Sequence, residues 1–391
     1  MISLAVAPLV RKVADHYKDI FYACGIDFNS LCAFLWCFLS GSESLSELVR
    51  ACGWSMSVSS LSRDVQLFSP NRVLRRMRKK ILKKYQLNPE NFCYAVDDTA
   101  NRRAGKTVYN ASKFGGSGGV YHGQKILVIA LVNMKEGYAI PVSYQFLTSK
   151  KDPKHVPAPQ VALKMLSELL LEGFPRLAVT VDSWFDSHVF MTGLMKLGLH
   201  YYGEIKSNRK VMSSSCRVWK SLRAMFKKSP RKKVSKKYYS ESELYIRRMP
   251  ETVKCIAMFN ELDDKKAFGY YLSTDVAVAG AKLWRLSRMR WKIECMFRDL
   301  KQNLAFGRLP CSGKEGSDLS VCMPILLITS LRLVEDQACK GSTIGTRVLA
   351  LRESEFNRGL NLIQRDPENE SVVKFFARRS KINEKPTDKA A

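Results

Sequence analysis

The sequence has 391 residues, with 64 Lys and Arg against 36 Asp and Glu for a formal net charge of +28, and it is 46% hydrophobic and 26% charged. That composition is too apolar for a disordered chain, and the length suits two or three domains. A cationic surplus of this size favours a polyanionic partner, because each phosphate contact releases condensed counterions, so nucleic acid stands ahead of an anionic membrane surface.

The chain opens on an apolar stretch with no basic residue before it and Arg11-Lys12 straight after, so no signal peptide is expected and a reducing cytoplasm is. Residues 1–90 read as a helical region, with apolar positions at helical spacing and Gly25, Gly41 and Gly53 as punctuation. Within it, 45–65 has the pattern of either a helix-turn-helix or an ordinary helical hairpin. The basic stretch 72–85 reads as a helix packed through Val73, Leu74, Met77 and Ile81, its cations suited to a phosphate backbone or to a solvated face.

From 91 the pattern turns to strands, at 92–99, 125–134 and 138–147. A helix fits 158–172, a short buried strand 176–182, a second helix 187–198 and a strand 200–206. This β-β-β-α-β-α-β order implies a mixed α/β sheet with an antiparallel part. Residues 207–268 form a β-rich basic insertion containing the run KKSPRKKVSKKYY at 227–239. The strand 267–274, a long helix over 278–305 and an apolar helix over 318–335 follow. The domain expectation is therefore 1–90 helical, 91–206 and 269–340 the two parts of one core, 207–268 the insertion, and 341–391 a polar C-terminal region, partly disordered. The longest apolar runs, 31–39 and 321–328, are shorter than the roughly 20 residues that cross a bilayer and read as buried helices, so no membrane partner is expected. Eleven cysteines without a C-x-x-C pair and five dispersed histidines give neither a zinc site nor a disulfide framework.

Two apolar strands end in aspartate, YAVDDT at Asp97 and AVTVDSWF at Asp182. A carboxylate at the end of a buried strand is costly without a partner, although Asp is also a common turn cap. In the helix 286–304, a turn of 100° per residue puts Arg290, Glu294 and Lys301 at roughly 0°, 40° and 20° on one face, beside an apolar stripe of Ile293, Phe297, Leu300 and Leu304. An ion-pair ladder on a surface helix has the same spacing. Trp184, Phe185 and Trp291 lie close to these positions; core packing is expected for at least two of them, and stacking on an unpaired base is the other use.

The segment RMRWKIECMFRDLK resembles the signature helix of bacterial insertion-sequence DDE transposases, Y-x2-R-x3-E-x6-K, with Arg290, Glu294 and Lys301 in register and Ser287 in place of the tyrosine. DDT resembles the family's D-x-T, which favours Asp97 over its neighbour Asp98, and VDSWF its second-aspartate motif. The resemblance covers about 90–310, more than half the chain, with the three motifs in the family's order. It implies an RNase H-like mixed sheet with a β-strand insertion, preceded by a helical N-terminal DNA-binding region. It implies metal ligands and catalytic groups at Asp97, Asp182 and Glu294, and DNA or phosphate contacts at Arg290, Lys301, Trp291 and Arg298. Two Mg²⁺ ions, which Mn²⁺ can replace, supply the chemistry such carboxylates serve. The implied function is cleavage at the ends of a mobile DNA element and strand transfer into target DNA, by a prokaryotic, nucleoid-associated homodimer on double-stranded DNA. A domesticated DDE nuclease, or a DNA-binding regulator with a dead site, is the alternative.

Overall fold

The structure, a computed structural model, describes residues 8–41, 44–46, 57–103, 105, 108–116, 119–215, 217–309, 313–333 and 343–353. The chain forms two compact units: Met1–Lys84 with Asn101–Ala111 and Arg298–Ala391, and Tyr85–Ala100 with Ser112–Phe297.

The first unit is helical: α1 (Pro8–Tyr22), α2 (Phe28–Ser40), α3 (Val58–Gln66), α4 (Pro70–Lys84) and, after the second unit's elements, α10 (Lys314–Leu333). Asp27 caps α2 by accepting from the Ser30 N–H at 2.7 Å, and the helix stops at Gly41, whose left-handed φ of 78° needs a residue without Cβ. Ten successive residues of α2, Ser30–Leu39, are buried. Helix α10 is long and apolar enough to cross a membrane, yet 89% of its apolar window is covered by protein. It packs against α2, α3 and α4, as the central helix of this unit. The residues expected to pack α4 do so: Val73, Leu74, Met77 and Ile81 are buried. Part of its cationic side turns to α1, with Arg76 paired to Asp19 at 3.6 Å and Lys80 donating to the His16 carbonyl at 3.3 Å. Residues 47–56, the middle of the possible helix-turn-helix, lie outside the described residues.

The second unit carries the sheet. Its elements are β1 (Phe92–Arg102, whose last two residues belong to the first unit), β2 (Ser112–Gly116), β3 (Gly119–Asn133), β4 (Tyr138–Leu147), α5 (Ala158–Leu171), β5 (Val179–Val181), α6 (His188–Lys196) and β6 (Tyr201–Glu204). Then come β7 (Lys210–Met212), β8 (Lys220–Ser221), α7 (Leu222–Met225), β9 (Lys232–Val234), β10 (Lys237–Ile246), β11 (Val253–Phe259), β12 (Gly269–Ser273), α8 (Gly280–Met289) and α9 (Trp291–Asn303). The strand order is β2-β3-β1-β5-β6-β12-β11-β10-β7-β8, with β4 on β3 and β9 on β10. The mixed α/β sheet is parallel at β1-β5-β6 and antiparallel from β6 through β12, β11 and β10. The parallel centre explains the unbroken apolar runs: Phe92–Val96 and Val179–Val181 are buried on both faces.

Within the β-rich residues 207–268, β10 and β11 join the same sheet through β12. One finding departs from the sequence reading. The single helix expected over 278–305 is two, α8 and α9, meeting at Arg290. Arg290 keeps helical angles (φ −50°, ψ −38°), but the Ile293 N–H reaches back only three residues, to the Arg290 carbonyl at 2.9 Å. That tighter bond interrupts the four-residue ladder that one helix requires.

Candidate active site

Strand register places the carboxylates. In the parallel ladder Val96 pairs Val181 and Val181 pairs Gly203. The next residue on each strand is Asp97, Asp182 and Glu204, so the three stand in one row across β1, β5 and β6. Neighbouring strands lie about 4.8 Å apart, which sets the spacing of their Cα atoms. Alternation puts all three on the sheet face that carries Thr180, whose hydroxyl donates to the Ser287 carbonyl of α8 at 3.3 Å. Helix α8 packs on this face, over β5, β6, β10, β11 and β12. It delivers Arg290 at its end, and the first turn of α9 delivers Glu294.

Arg290 joins the parts. Its Nη1 lies 3.1 Å from Asp97 Oδ2 and 2.5 Å from Glu294 Oε1. Asp97 Oδ1 accepts from the Asp98 N–H at 2.9 Å. Asp182 Oδ1 accepts from the Ser183 N–H at 2.5 Å, capping the short 3₁₀ turn Ser183–Phe185. Asp98 turns elsewhere, to Lys125 on β3 at 3.0 Å, and the Lys125 ammonium lies 5.7 Å from the Trp184 ring centre.

The electrostatics follow from this packing. Burial pushes the Asp97 carboxyl from 3.8 up to about 6; Arg290 pulls it back, while the charges of Asp98 and Asp182 add to the rise. Burial also raises Glu204, with Asp182 adding to the shift and Arg290 opposing it. For Arg290 burial acts to lower the pKa, but Glu294, Asp97 and Asp182 outweigh it and hold the guanidinium above its ordinary value. Four carboxylates therefore face one guanidinium. Among the described residues, no three His, Cys, Asp or Glu side chains are grouped to hold a metal ion as they stand. The Arg290 nitrogen fills the space between Asp97 and Glu294. The donor set nonetheless fits a hard divalent cation: it is all carboxylate oxygen, and Asp97 carries a desolvated charge that one guanidinium leaves under-compensated.

Of the aromatic residues flanking the motifs, only Phe185 packs in the core, at 1% exposure; Trp184 is 64% and Trp291 51% exposed. The expectation of two core residues is corrected. Trp184 stands on the turn that Asp182 caps, and Trp291 falls on the solvent side of α9. Arg298 is exposed and Lys301 half-buried, with burial lowering the Lys301 pKa; both belong to the first unit, since the division falls inside α9. Ser287, at the position of the family tyrosine, is buried, and its hydroxyl has no hydrogen-bond partner. Glu204 escaped the sequence reading, because only the pairing of β6 with β5 brings it into the row. A cavity of about 980 Å³ opens beside it, lined among others by Glu204, Tyr271, Ser287, Arg288, Arg290 and Trp291.

No curated protein matches the chain at a significant level. Among solved structures, a chain of the piggyBac transposase synaptic complex with hairpin DNA is similar, with a TM-score of 0.48 and 11% identity over 99% of this chain and 85% of that one. The family model described as DDE superfamily endonuclease matches residues 61–257. That half of the chain contains Asp97, Asp182 and Glu204 and stops short of Glu294. On that match, the protein belongs to the DDE superfamily of endonucleases.

Proposed function

We propose that this DDE endonuclease is the transposase of a bacterial insertion sequence, built on an RNase H-like sheet and acting on DNA with Asp97, Asp182 and Glu294 as its catalytic carboxylates. The observation that carries the reading is the bridge from Arg290 to Asp97 and Glu294, which joins strand and helix motifs 193 and 4 residues away in sequence. Asp97, Asp182 and Glu294 would hold the Mg²⁺ ions, with Mn²⁺ as a substitute and two as the number the chemistry favours. Bound divalent cations activate the attacking oxygen and stabilise charge on the leaving oxygen.

In the cleavage step a water oxygen attacks the phosphorus at the element's end and the strand parts, leaving a 3′-hydroxyl. In the joining step that hydroxyl oxygen attacks a target phosphorus, and the target's 3′-oxygen leaves with the proton. The protein's part is placement. Arg290, once off the carboxylates, is in reach of a phosphate oxygen as a planar, multi-donor cation. Arg298, Lys301 and Trp291 are assigned to further DNA or phosphate contacts, and the N-terminal helices and the basic β9-β10 hairpin to the flanking duplex. The proposed partner is double-stranded DNA carrying the terminal inverted repeats, held by a homodimer because two ends must be joined, in the nucleoid of a prokaryotic cytoplasm.

The test is incubation of the full chain with a plasmid carrying the native element ends and Mg²⁺ or Mn²⁺. Nicking at the ends that disappears in Glu294→Gln is the expected result. Binding of the ends without cleavage by the unaltered protein, under both metals, would refute the catalytic reading and leave a DNA-binding regulator.

A further inference from the structure

Five cations, Lys282, Arg285, Arg288, Arg290 and Lys292, line the cavity of about 980 Å³ beside the row, against one carboxylate, Glu204. Arg290 is bonded to Asp97 and Glu294. The other four have no carboxylate within 4.0 Å among the described residues. Glu241 meets the start of α8 by accepting from the Gly280 N–H at 3.1 Å, but Lys232 and Lys254 already occupy it. Lys282 stands in the first turn of α8, which holds no acidic residue, although the positive end of the helix dipole disfavours a cation there. Like charges gathered in one concavity, at a cost to the fold, are what a polyanion compensates.

Three of these cations form a strip. Lys282, Arg285 and Arg288 are exposed and stand three residues apart on α8, so the strip is about 9 Å long at about 1.5 Å per residue. Phosphates advance about 3.4 Å each along one strand of a duplex, so the strip spans about two or three of them. Arg288 is steadied by Trp284, whose ring centre lies 5.1 Å from its guanidinium carbon. The strip leads to Arg290, the cation that touches the Asp97 and Glu294 carboxylates. An open cationic strip that ends at the carboxylates suits a chain running past them more than an enclosed small anion.

We propose that Lys282, Arg285 and Arg288 form a phosphate track for the DNA strand being cut, holding it within about three nucleotides of the scissile bond. This rests on the reading of Asp97, Asp182 and Glu294 as the catalytic carboxylates. Each cation neutralises one phosphate and releases its counterions, so the track adds to the salt dependence of binding without reading sequence.

The experiment follows binding of a duplex carrying the native element ends to the full chain across salt concentrations, without divalent ions. The unaltered protein, Lys282→Gln, Arg285→Gln, Arg288→Gln, the triple variant and the charge-keeping Arg285→Lys are compared, each checked for native circular dichroism. Each neutral substitution should lower the slope of log K against log salt by about 0.7–0.9, the triple variant by about two, and Arg285→Lys hardly at all. Methylphosphonate replacement of single phosphates in the cut strand should weaken binding by the unaltered protein within about three nucleotides of the cut, and no longer do so for the triple variant. An unchanged slope in the triple variant, or sensitive phosphates that lie only farther from the cut, would overturn the inference. So would a triple variant that loses tripolyphosphate binding but keeps its DNA slope, since the cavity would then hold a free polyphosphate. If the unaltered protein nicks the ends and Glu294→Gln does not, these results bear on the track alone. If the unaltered protein never nicks under Mg²⁺ or Mn²⁺, the catalytic reading and the track fall together.

Discussion

Asp97 gives the most direct test of whether the carboxylate row is built for stability or for a bound cation. Its side chain is 18% exposed, and burial raises its carboxyl from 3.8 to about 6 despite Arg290 beside it. An acid whose folded pKa lies above its unfolded value binds protons more tightly when folded. Its contribution to stability is therefore present below about pH 4 and lost as pH rises through about 6. A shift of roughly two units corresponds to about 3 kcal/mol, the cost of keeping the ionised carboxylate in its folded position at pH 8. Asp97→Asn removes that charge and leaves Arg290 its bond to Glu294, so the variant should be more stable than the unaltered protein by about 1–3 kcal/mol at pH 8 without metal. The advantage should vanish below pH 4. Urea unfolding in a chelating buffer across pH 4–8 measures it. Adding Mg²⁺ should stabilise the unaltered protein and not the variant, at the same time as the variant loses cleavage. Equal or lower stability of Asp97→Asn at pH 8 would refute the reasoning, because a carboxylate serving only its ion pair with Arg290 would be missed when removed.

Arg290→Gln takes away the positive charge between Asp97 and Glu294; Mn²⁺ should then bind about tenfold more tightly in the absence of DNA, while end cleavage falls for want of a phosphate contact. Unchanged or weaker Mn²⁺ binding by the same titration would show that Arg290 does not compete with the ion. In the first unit, Gly307 sits at φ 69°, and a Cβ there would come within 1.8 Å of Asn101 Nδ2, a buried side chain. Gly307→Ala should cost about 2–3 kcal/mol in urea unfolding, combining left-handed backbone strain with displacement of Asn101. A loss under about 0.5 kcal/mol would mean that this turn relaxes freely.

What the sequence made legible were features carried by local pattern. Apolar runs ending in Asp97 and Asp182 marked two strands, the second as buried, and the fold pairs them side by side in parallel. The 3.6-residue period put Val73, Leu74, Met77 and Ile81 inside α4, and Arg290 and Glu294 on one face. Features set by partners distant in sequence were not legible. Glu204 ends an ordinary short strand, and only β5 on one side and β12 on the other give it meaning. The break at Arg290 leaves the apolar period intact, so nothing in the pattern reveals it. Trp184 and Trp291 are large and apolar, hence expected inside, yet they sit on a capped turn and a solvent-facing helix side.

The basic β9-β10 hairpin has a mechanical consequence. It turns at Ser235, and β10 is laid against β11 over seven residue pairs, β11 against β12 over five, and β12 against β6 over three, the last including Glu204. A load applied at the hairpin tip is thus carried as shear through three successive hydrogen-bonded ladders to the strand that holds Glu204. Shear spread over many parallel bonds is stiff, so the tip and the carboxylate row behave as two ends of one plank. Under the DNA contact proposed for the hairpin, the duplex it holds is carried on the same continuous sheet as the carboxylate row.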